Sequence, residues 1–345
     1  MSDSDRNDIL LTGATGYIGG TVLARLLEHP DARTFEITAL IRSSEKAQKF
    51  ESFGIKTVVA SFEDEAKVEE LASKAHVVIN AVSADDLKGA QAILRGLKKR
   101  HETTGDVPIL IHTSGTGTFA DDAKGLYNSD TIWDDANPDQ IETLPDNAPH
   151  RNVDLPIVKA DQEGYVRSYI ILPGVVYGVA NTPFVAAGLQ HAVTFAGPLL
   201  TKIAIARGRV GVVGKGLGLW PFVHIDDTAD LYIVLLDAIL RNPDKVDHGR
   251  NGYYIAGNGE FAIGEVSKAI GQVLVELGTL KDAEPTTFTR EELVKYFGSE
   301  EMGNFFGSNT RSHSTHSYAI GWKPKHSVQE LFDTLRSEVQ ITLKQ

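Results

Sequence analysis

Up to residue 175 the chain alternates short apolar runs with amphipathic stretches. DILLTGA, FEITALIR, IKTVVAS, HVVINAV, PILIHTSG and YIILPG are near-continuous in Val, Ile and Leu. Runs of this kind are what strands buried on both faces look like. The segments 19–28, 65–74, 86–100 and 153–167 between them carry apolar residues at helical spacing and predict helices. Strand–helix alternation at this pace predicts a doubly wound α/β fold, a Rossmann-like parallel sheet with helices on both faces.

After residue 178 the texture changes. Residues 181–220 are rich in glycine and have no clear period, then a strong helix is expected at 226–241 and a strand at GYYIAG. The reading divides the chain into a nucleotide-binding domain over 1–178, rejoined by 222–258, and a smaller substrate or cap domain over 179–221 and 259–345. Between the two halves of the pattern, the acidic, Pro- and Asn-rich stretch 120–150 is expected as a long loop over one rim.

Composition narrows the function classes. A chain of 345 residues with 42% hydrophobic and 23% charged residues is ordinary for a globular protein with a large core. A net charge of −12 disfavours nucleic acid and anionic membranes as partners. The absence of cysteine removes disulfides, thiolate metal sites and cysteine nucleophiles. The polar start MSDSDRND has no signal-like pattern, so the expected location is the cytoplasm.

ILLTGATGYIGG sets an apolar strand, then Gly13, Gly16 and Gly19, then a helix. Glycines here permit a tight turn and let backbone N–H groups approach a diphosphate, with the positive end of the helix dipole behind them. Thr15, Tyr17 and Ile18 belong to the same expected contact set. At the end of the second run, where an acid holds a 2′-hydroxyl and an arginine a 2′-phosphate, the chain has Arg42, followed by Ser43, Ser44 and Lys46. That favours NADP(H), with NAD(H) as the alternative. Ser61 and Phe62 are expected beside the adenine, although Phe62 equally suits a core. Asn80, Ala81 and Val82 are expected near the ribose.

With TGATGYIGG (12–20), ILPGVVYG (171–178), FVHIDDTAD (222–230), GYYIAGNGEFAIGEV (252–266) and IGWKPKHSVQELF (320–332) in order, the chain resembles the extended, epimerase/dehydratase-like branch of the short-chain dehydrogenase/reductase superfamily. The resemblance implies a cleft between a Rossmann-like domain and a C-terminal substrate domain. It implies that Pro173 and Gly174 abut the nicotinamide, with Thr113 and Val176 among the cofactor contacts, and by analogy with other members a homodimer. It also implies a Ser/Thr and a Tyr-x-x-x-Lys pair for proton transfer. Here Lys159 stands four residues after Leu155, which has no proton to give. Gly115 falls where the hydroxyl residue belongs, between Ser114 and Thr116.

Lys159, Ser114, Thr116 and His150 are therefore the candidate catalytic residues, with Lys159 also expected on the cofactor ribose. Arg151 lies one turn ahead of Leu155, and with His150 and Asp154 beside it offers either chemistry or a helix start. Tyr127 and Tyr177 are further phenols. A metal site is not expected: His313 and His316 lack further ligands, and the acids of HIDD (224–227) suit capping and pairing. Three functions compete: an NADP(H)-dependent oxidoreductase on a small carbonyl or alcohol with altered proton delivery, a non-catalytic NADP(H) sensor, and a nucleotide-sugar epimerase or dehydratase.

Overall fold

The computed structural model describes residues 7–344, so most of the polar leader lies outside the described residues. The first stretch alternates without exception: β1 (Asn7–Thr12), α1 (Tyr17–Leu27), β2 (Phe35–Ile41), α2 (Ser44–Glu51), β3 (Lys56–Val59), α3 (Glu65–Ala72), β4 (Val77–Asn80), α4 (Leu87–Thr104) and β5 (Ile109–Thr113). A long connection holding β6 (Trp133–Asp134) and α5 (Pro138–Ile141) precedes α6 (Arg151–Gln162), β7 (Arg167–Pro173) and β8 (Val175–Tyr177). Then come α7 (Pro183–Ala186), α8 (Ala196–Arg207), β9 (Gly211–Val212), β10 (Leu219–His224), α9 (Ile225–Arg241) and β11 (Tyr253–Ala256). β12 (Glu260–Ala262), α10 (Ile263–Glu276), β13 (Thr286–Thr287), α11 (Arg290–Phe297), α12 (Glu300–Phe305), β14 (Ser312–His313), α13 (Thr315–Ala319) and α14 (Glu330–Leu343) complete the chain.

Seven strands form one sheet in the order β11-β7-β5-β4-β1-β2-β3, and every neighbouring pair in it is parallel. This is the doubly wound Rossmann-like α/β arrangement. The winding reverses between β1 and β4, and the crevice outside the carboxyl ends of those strands is where such sheets take ligands. The two-residue period of the strands divides the core. Ile9, Leu11, Ala39 and Ile79 face α1 and α9, whereas Leu10, Leu40, Val78 and Leu110 face α3, α4 and α6. Gly96 in α4 has no room for a side chain, since a β-carbon there would lie 2.4 Å from the Glu69 carbonyl oxygen on α3.

A third core sits in the C-terminal part. Trp220 and Phe222 of β10 pack with Val266, Ile270 and Leu274 of α10 and with Leu331, Leu335 and Val339 of α14. β8 and β10 run parallel and β12 closes this small sheet antiparallel. Among the described residues, no helix is long and apolar enough to cross a membrane.

Two expectations need adjusting. The helix placed at 153–167 runs from Arg151 to Gln162, and Gly164 (φ +84°) turns the chain into β7. The stretch 120–150 is tied down rather than loose. Asp121 accepts from the backbone and side-chain nitrogens of Asn309 (2.8 and 3.0 Å), and β6 pairs with β14. Buried Asp135 accepts from the backbone N–H groups of Ile255 and His316, while burial pushes its carboxyl up to about 6.

The C-terminal tail is fixed to the first core by Trp322. Its indole is 1% exposed and donates to the Asp227 carbonyl at 2.8 Å. The Asp227 carboxylate in turn accepts from the backbone N–H groups of Lys325 and His326. Trp322→Ala is expected to remove about 3–5 kcal/mol of stability. A lower urea midpoint at unchanged slope would report it; an unshifted midpoint would mean the tail is not anchored there.

Candidate functional site

The crevice begins with the glycine turn after β1. Gly13 is left-handed (φ +82°), and a β-carbon on it would come within 2.2 Å of the Ala81 carbonyl oxygen. Only glycine serves both demands. Gly16 donates to the Gly13 carbonyl at 2.8 Å and caps α1, whose side chains supply no cap of their own. The first N–H groups of α1 therefore face the crevice without a side-chain partner, which suits an anion. Gly19 lets the helix rest on the turn, for a β-carbon there would lie 2.4 Å from the Gly13 carbonyl oxygen.

From this turn a groove of about 540 Å³ runs over β1 and β2. Gly13, Thr15, Gly16, Arg42, Ser43, Ser61, Phe62, Ala81 and Val82 all line it. Lys46 is a second cation in the lining, and Glu63 and Asp86 are its acids. Asp86 is committed as the cap of α4, accepting from the Gly89 N–H at 2.9 Å. Ser43 likewise caps α2 through the Lys46 N–H. Phe62 is both wall and core: it is 6% exposed, and a β-carbon on Gly89 would lie 2.0 Å from its ring. A dinucleotide fits this groove in shape and in donors, with the cradle held open by the missing side chain of Gly13.

Other predicted contacts lie outside the groove. Tyr17 turns away, its hydroxyl donating to the Gly178 carbonyl at 2.7 Å, and burial, with a smaller contribution from Glu338, raises its pKa well above the usual phenol range. Ile18 packs against the first core and Val176 is buried in β8. Thr113 shares a 2.6 Å hydrogen bond with Tyr232. Pro173 and Gly174 end β7 against β10, since a β-carbon on Gly174 would lie 2.3 Å from the Pro221 carbonyl oxygen.

Beyond the carboxyl end of β5 stands His150. It is the N-cap of α6 in left-handed backbone (φ +68°), a conformation uncommon for a residue with a β-carbon. Its Nδ1 lies 2.8 Å from an Asp85 carboxylate oxygen. Asp85 is held below the usual carboxylate range, chiefly by this hydrogen bond. Nε2 points at the segment after β5, lying 3.3 Å from where a Gly115 β-carbon would stand and 3.1 Å from the equivalent point on Gly117. A β-carbon at either glycine would crowd the imidazole, at 117 slightly more than at 115. The Pro173 carbonyl oxygen is 3.9 Å from the same point at Gly115.

Beneath this rim runs a buried polar chain. Thr12 donates to Asn80 Oδ1 at 2.7 Å, so the Asn80 amide nitrogen faces His112 Nδ1 at 3.1 Å. His112 thus accepts at Nδ1 and carries its proton on Nε2. Burial pushes its pKa down to about 3. That Nε2 is 3.9 Å from Asp154 Oδ1, and neither atom has a hydrogen-bond partner. Ser114 donates to the other Asp154 oxygen at 3.0 Å. Asp154 is fully buried, and burial pushes its carboxyl up to about 7 against the opposing pull of Ser114. Arg151, also buried, donates to the Tyr253 hydroxyl at 3.2 Å. The Thr116 hydroxyl is buried without a partner.

Lys159 is placed differently from expectation. The buried face of α6 is set by Val153, Asp154, Ile157 and Ala160. Helical phase therefore leaves Lys159 exposed on the far side, and Leu155 only half-buried. Lys159 does not line the groove. The i,i+4 pair that the structure brings to the site is His150 and Asp154. Asp85 and His191 were not among the expected site residues, and Asp154 was expected only as chemistry or a helix start. His191 lines the groove and donates its N–H to the Thr15 carbonyl. Nothing local in the sequence marks Asp85 or His191, whereas His150 and Asp154 share a readable helical spacing.

The remaining histidines lie away from this rim. His224, Asp226 and His326 are the one group among the described residues with metal-like spacing. Asp226 pairs with Arg25 at 2.9 Å, and His224 Nδ1 accepts from the Asp226 N–H. His316 packs on Tyr254 while His313 is exposed in β14. Tyr127 is exposed, and Tyr177 donates to the Ser327 carbonyl.

A carboxyl pushed up to about 7 takes its proton into the folded state. Between the unfolded carboxylate range near 4 and about 7 the folded chain binds the extra proton, so this contribution to stability is lost as pH rises through that window. Asp154→Asn should shrink the fall in melting temperature between pH 5 and pH 8 by about 4 °C. Superimposable wild-type and variant pH profiles would contradict the burial of an ionisable group there.

Comparison with known proteins agrees with this geometry. Residues 13–132 match a family of NAD(P)H-binding domains. Over 334 residues the chain is 28% identical to the oxidase ucsJ of an Acremonium species, covering 92% of each. It is 35% identical over 99 residues to phenylcoumaran benzylic ether reductase PT1 of Pinus taeda, covering 27% of this chain and 32% of that one. Among solved structures, the dTDP-glucose 4,6-dehydratase DesIV of Streptomyces venezuelae superposes with a TM-score of 0.64 at 18% identity, covering 98% of this chain and 97% of that one. The matched segment is an NAD(P)H-binding domain, and over nearly its whole length the chain has the fold of the dehydratase.

Proposed function

We propose that the protein is an NADP(H)-dependent oxidoreductase acting on a small carbonyl or alcohol, with His150 delivering the proton. One observation carries this reading: His150 Nε2 stands over Gly115 and Gly117 while its Nδ1 is held by Asp85. When bound, the cofactor supplies or accepts hydride at its nicotinamide ring. In carbonyl reduction the protonated imidazole donates its Nε2 proton to the oxygen on which negative charge develops. Asp85 stabilises the imidazolium and fixes the ring orientation, as a carboxylate does for a catalytic histidine. In the reverse direction the neutral Nε2 accepts the alcohol proton. Ser114 and Asp154 are positioning residues, sealed under this rim and fixing the start of α6.

The cofactor choice rests on Arg42, with Lys46 in the same lining. Residues 1–178 with 222–258 are read as the cofactor domain, and 179–221 with 259–345 as the cap. The names of the Acremonium oxidase and the pine reductase support redox chemistry over sugar-nucleotide epimerisation. Leu155 in the tyrosine position favours a second reading, a non-catalytic NADP(H) sensor.

His150→Ala is expected to lower turnover by ~10²–10⁴-fold with unchanged NADPH affinity. A kcat within threefold of wild type would remove His150 from the chemistry. NADPH oxidation in the presence of aldehydes, ketones and quinones separates enzyme from sensor, since tight binding without turnover of any substrate supports the latter. Arg42→Ala should narrow the preference for NADPH over NADH by about tenfold, the loss of one charge-assisted contact. Equal affinities in the wild type would overturn the NADP(H) assignment.

A further inference from the structure

A second cavity, of about 240 Å³, lies in the C-terminal part between β8, β10, α8, α12 and α14. Two features join it to the His150 rim. Val175 and Val176 line it and follow Pro173 and Gly174 directly in the chain. Phe305 lines it too, and its ring edge is 3.0 Å from where a Gly117 β-carbon would stand, the point that His150 Nε2 approaches to 3.1 Å. The wall of the cavity and the imidazole thus meet at one glycine.

The chemistry of the lining is one-sided. Trp220 presents its ring, but its indole N–H is already given to the Ser308 carbonyl at 2.8 Å. The Tyr177 hydroxyl is likewise spent on Ser327. No Lys, Arg or His lines the cavity among the described residues, so nothing there would balance the charge of a phosphate. Glu338 is the single ionisable acid. One of its oxygens accepts from the Gly178 N–H at 2.7 Å, and the other lies 3.0 Å from where a Gly197 β-carbon would point. Burial raises its carboxyl to about 7, so near neutrality it has a substantial protonated fraction and can meet an uncharged polar tip. Exposed Phe195 and Met302 mark the mouth.

We infer that this cavity holds the body of the substrate, and that the substrate is an uncharged, hydrophobic ring compound, an aromatic or alicyclic ketone or the matching alcohol, rather than a phosphorylated or nucleotide-linked sugar. The inference names the substrate class for the oxidoreductase reading above and rests on it. Apolar walls with few polar groups are the usual form of a small-molecule pocket, and burial of the ring system would supply the affinity.

The test uses the full chain saturated with NADPH, 2-tetralone as the probe and UDP-glucose as the polar comparator, read by calorimetry so that no turnover is needed. Tetralone should bind and UDP-glucose should not. Leu200→Trp, which fills the cavity, and Met302→Glu, which charges its mouth while sitting half out of the fold, should each weaken tetralone binding at least tenfold and leave NADPH affinity unchanged. Either variant alone suffices if the other folds poorly. Tetralone binding that both variants leave intact, no tetralone binding at all, or tighter binding of UDP-glucose would overturn the inference. Failure to bind NADPH, read in a separate titration, would instead strike the oxidoreductase reading and leave the tetralone result on the cofactor-free protein to judge the cavity.

Discussion

The contact between the turn after β1 and the end of β4 is the constraint on which the site depends. With no side chain on Gly13, the backbone there lies against Ala81, closer than any β-carbon would permit. The same omission at Gly19 seats α1 directly on the turn. Together they place the start of α1 at the winding reversal of the sheet, where the carboxyl ends of β1 and β4 part. A larger residue at either position would push the helix away and separate its N–H groups from the groove. The rest of the crevice, from Arg42 to His150, is arranged around that point.

Much of this was legible along the chain. The unbroken apolar strands, the glycine spacing and Arg42 are local signals, and local physics decides where they sit. Lys159 lies elsewhere than expected for a reason equally physical. A pair at i and i+4 says that two residues share a helix face, but it does not say which face. Val153, Ile157 and Ala160 determine that, and they turn Lys159 outward. The same spacing at His150 and Asp154 has the right phase. Asp85 was beyond reading, because its link to His150 spans 65 positions and exists only once α4 and α6 pack together. Gly115, which looked like a missing hydroxyl, also leaves room beside the His150 imidazole.

The backbone at His150 reinforces that view. A left-handed conformation costs on the order of 1 kcal/mol for a residue with a β-carbon, and asparagine or glycine would fit it with less strain. The histidine sits at a position its backbone does not favour, with its ring beside the rim and its Nδ1 held by Asp85. Strain of this kind marks a side chain held for where it points. The buried links Thr12–Asn80–His112 and Ser114–Asp154 stiffen the floor below it, since buried polar groups lose their partners on rearrangement.

One join between the two halves of the molecule has a consequence for dissection. Gln190, from the glycine-rich stretch after β8, reaches back to donate to the Tyr17 carbonyl and the Thr21 hydroxyl, filling the space that Gly20 leaves empty. Tyr17 returns the link by donating to Gly178. The opening turn of α1 is thus completed by atoms more than 160 positions downstream. A truncated version carrying only the amino-terminal portion would expose that turn to solvent, so grafting this nucleotide module onto another scaffold would require transplanting the strap as well.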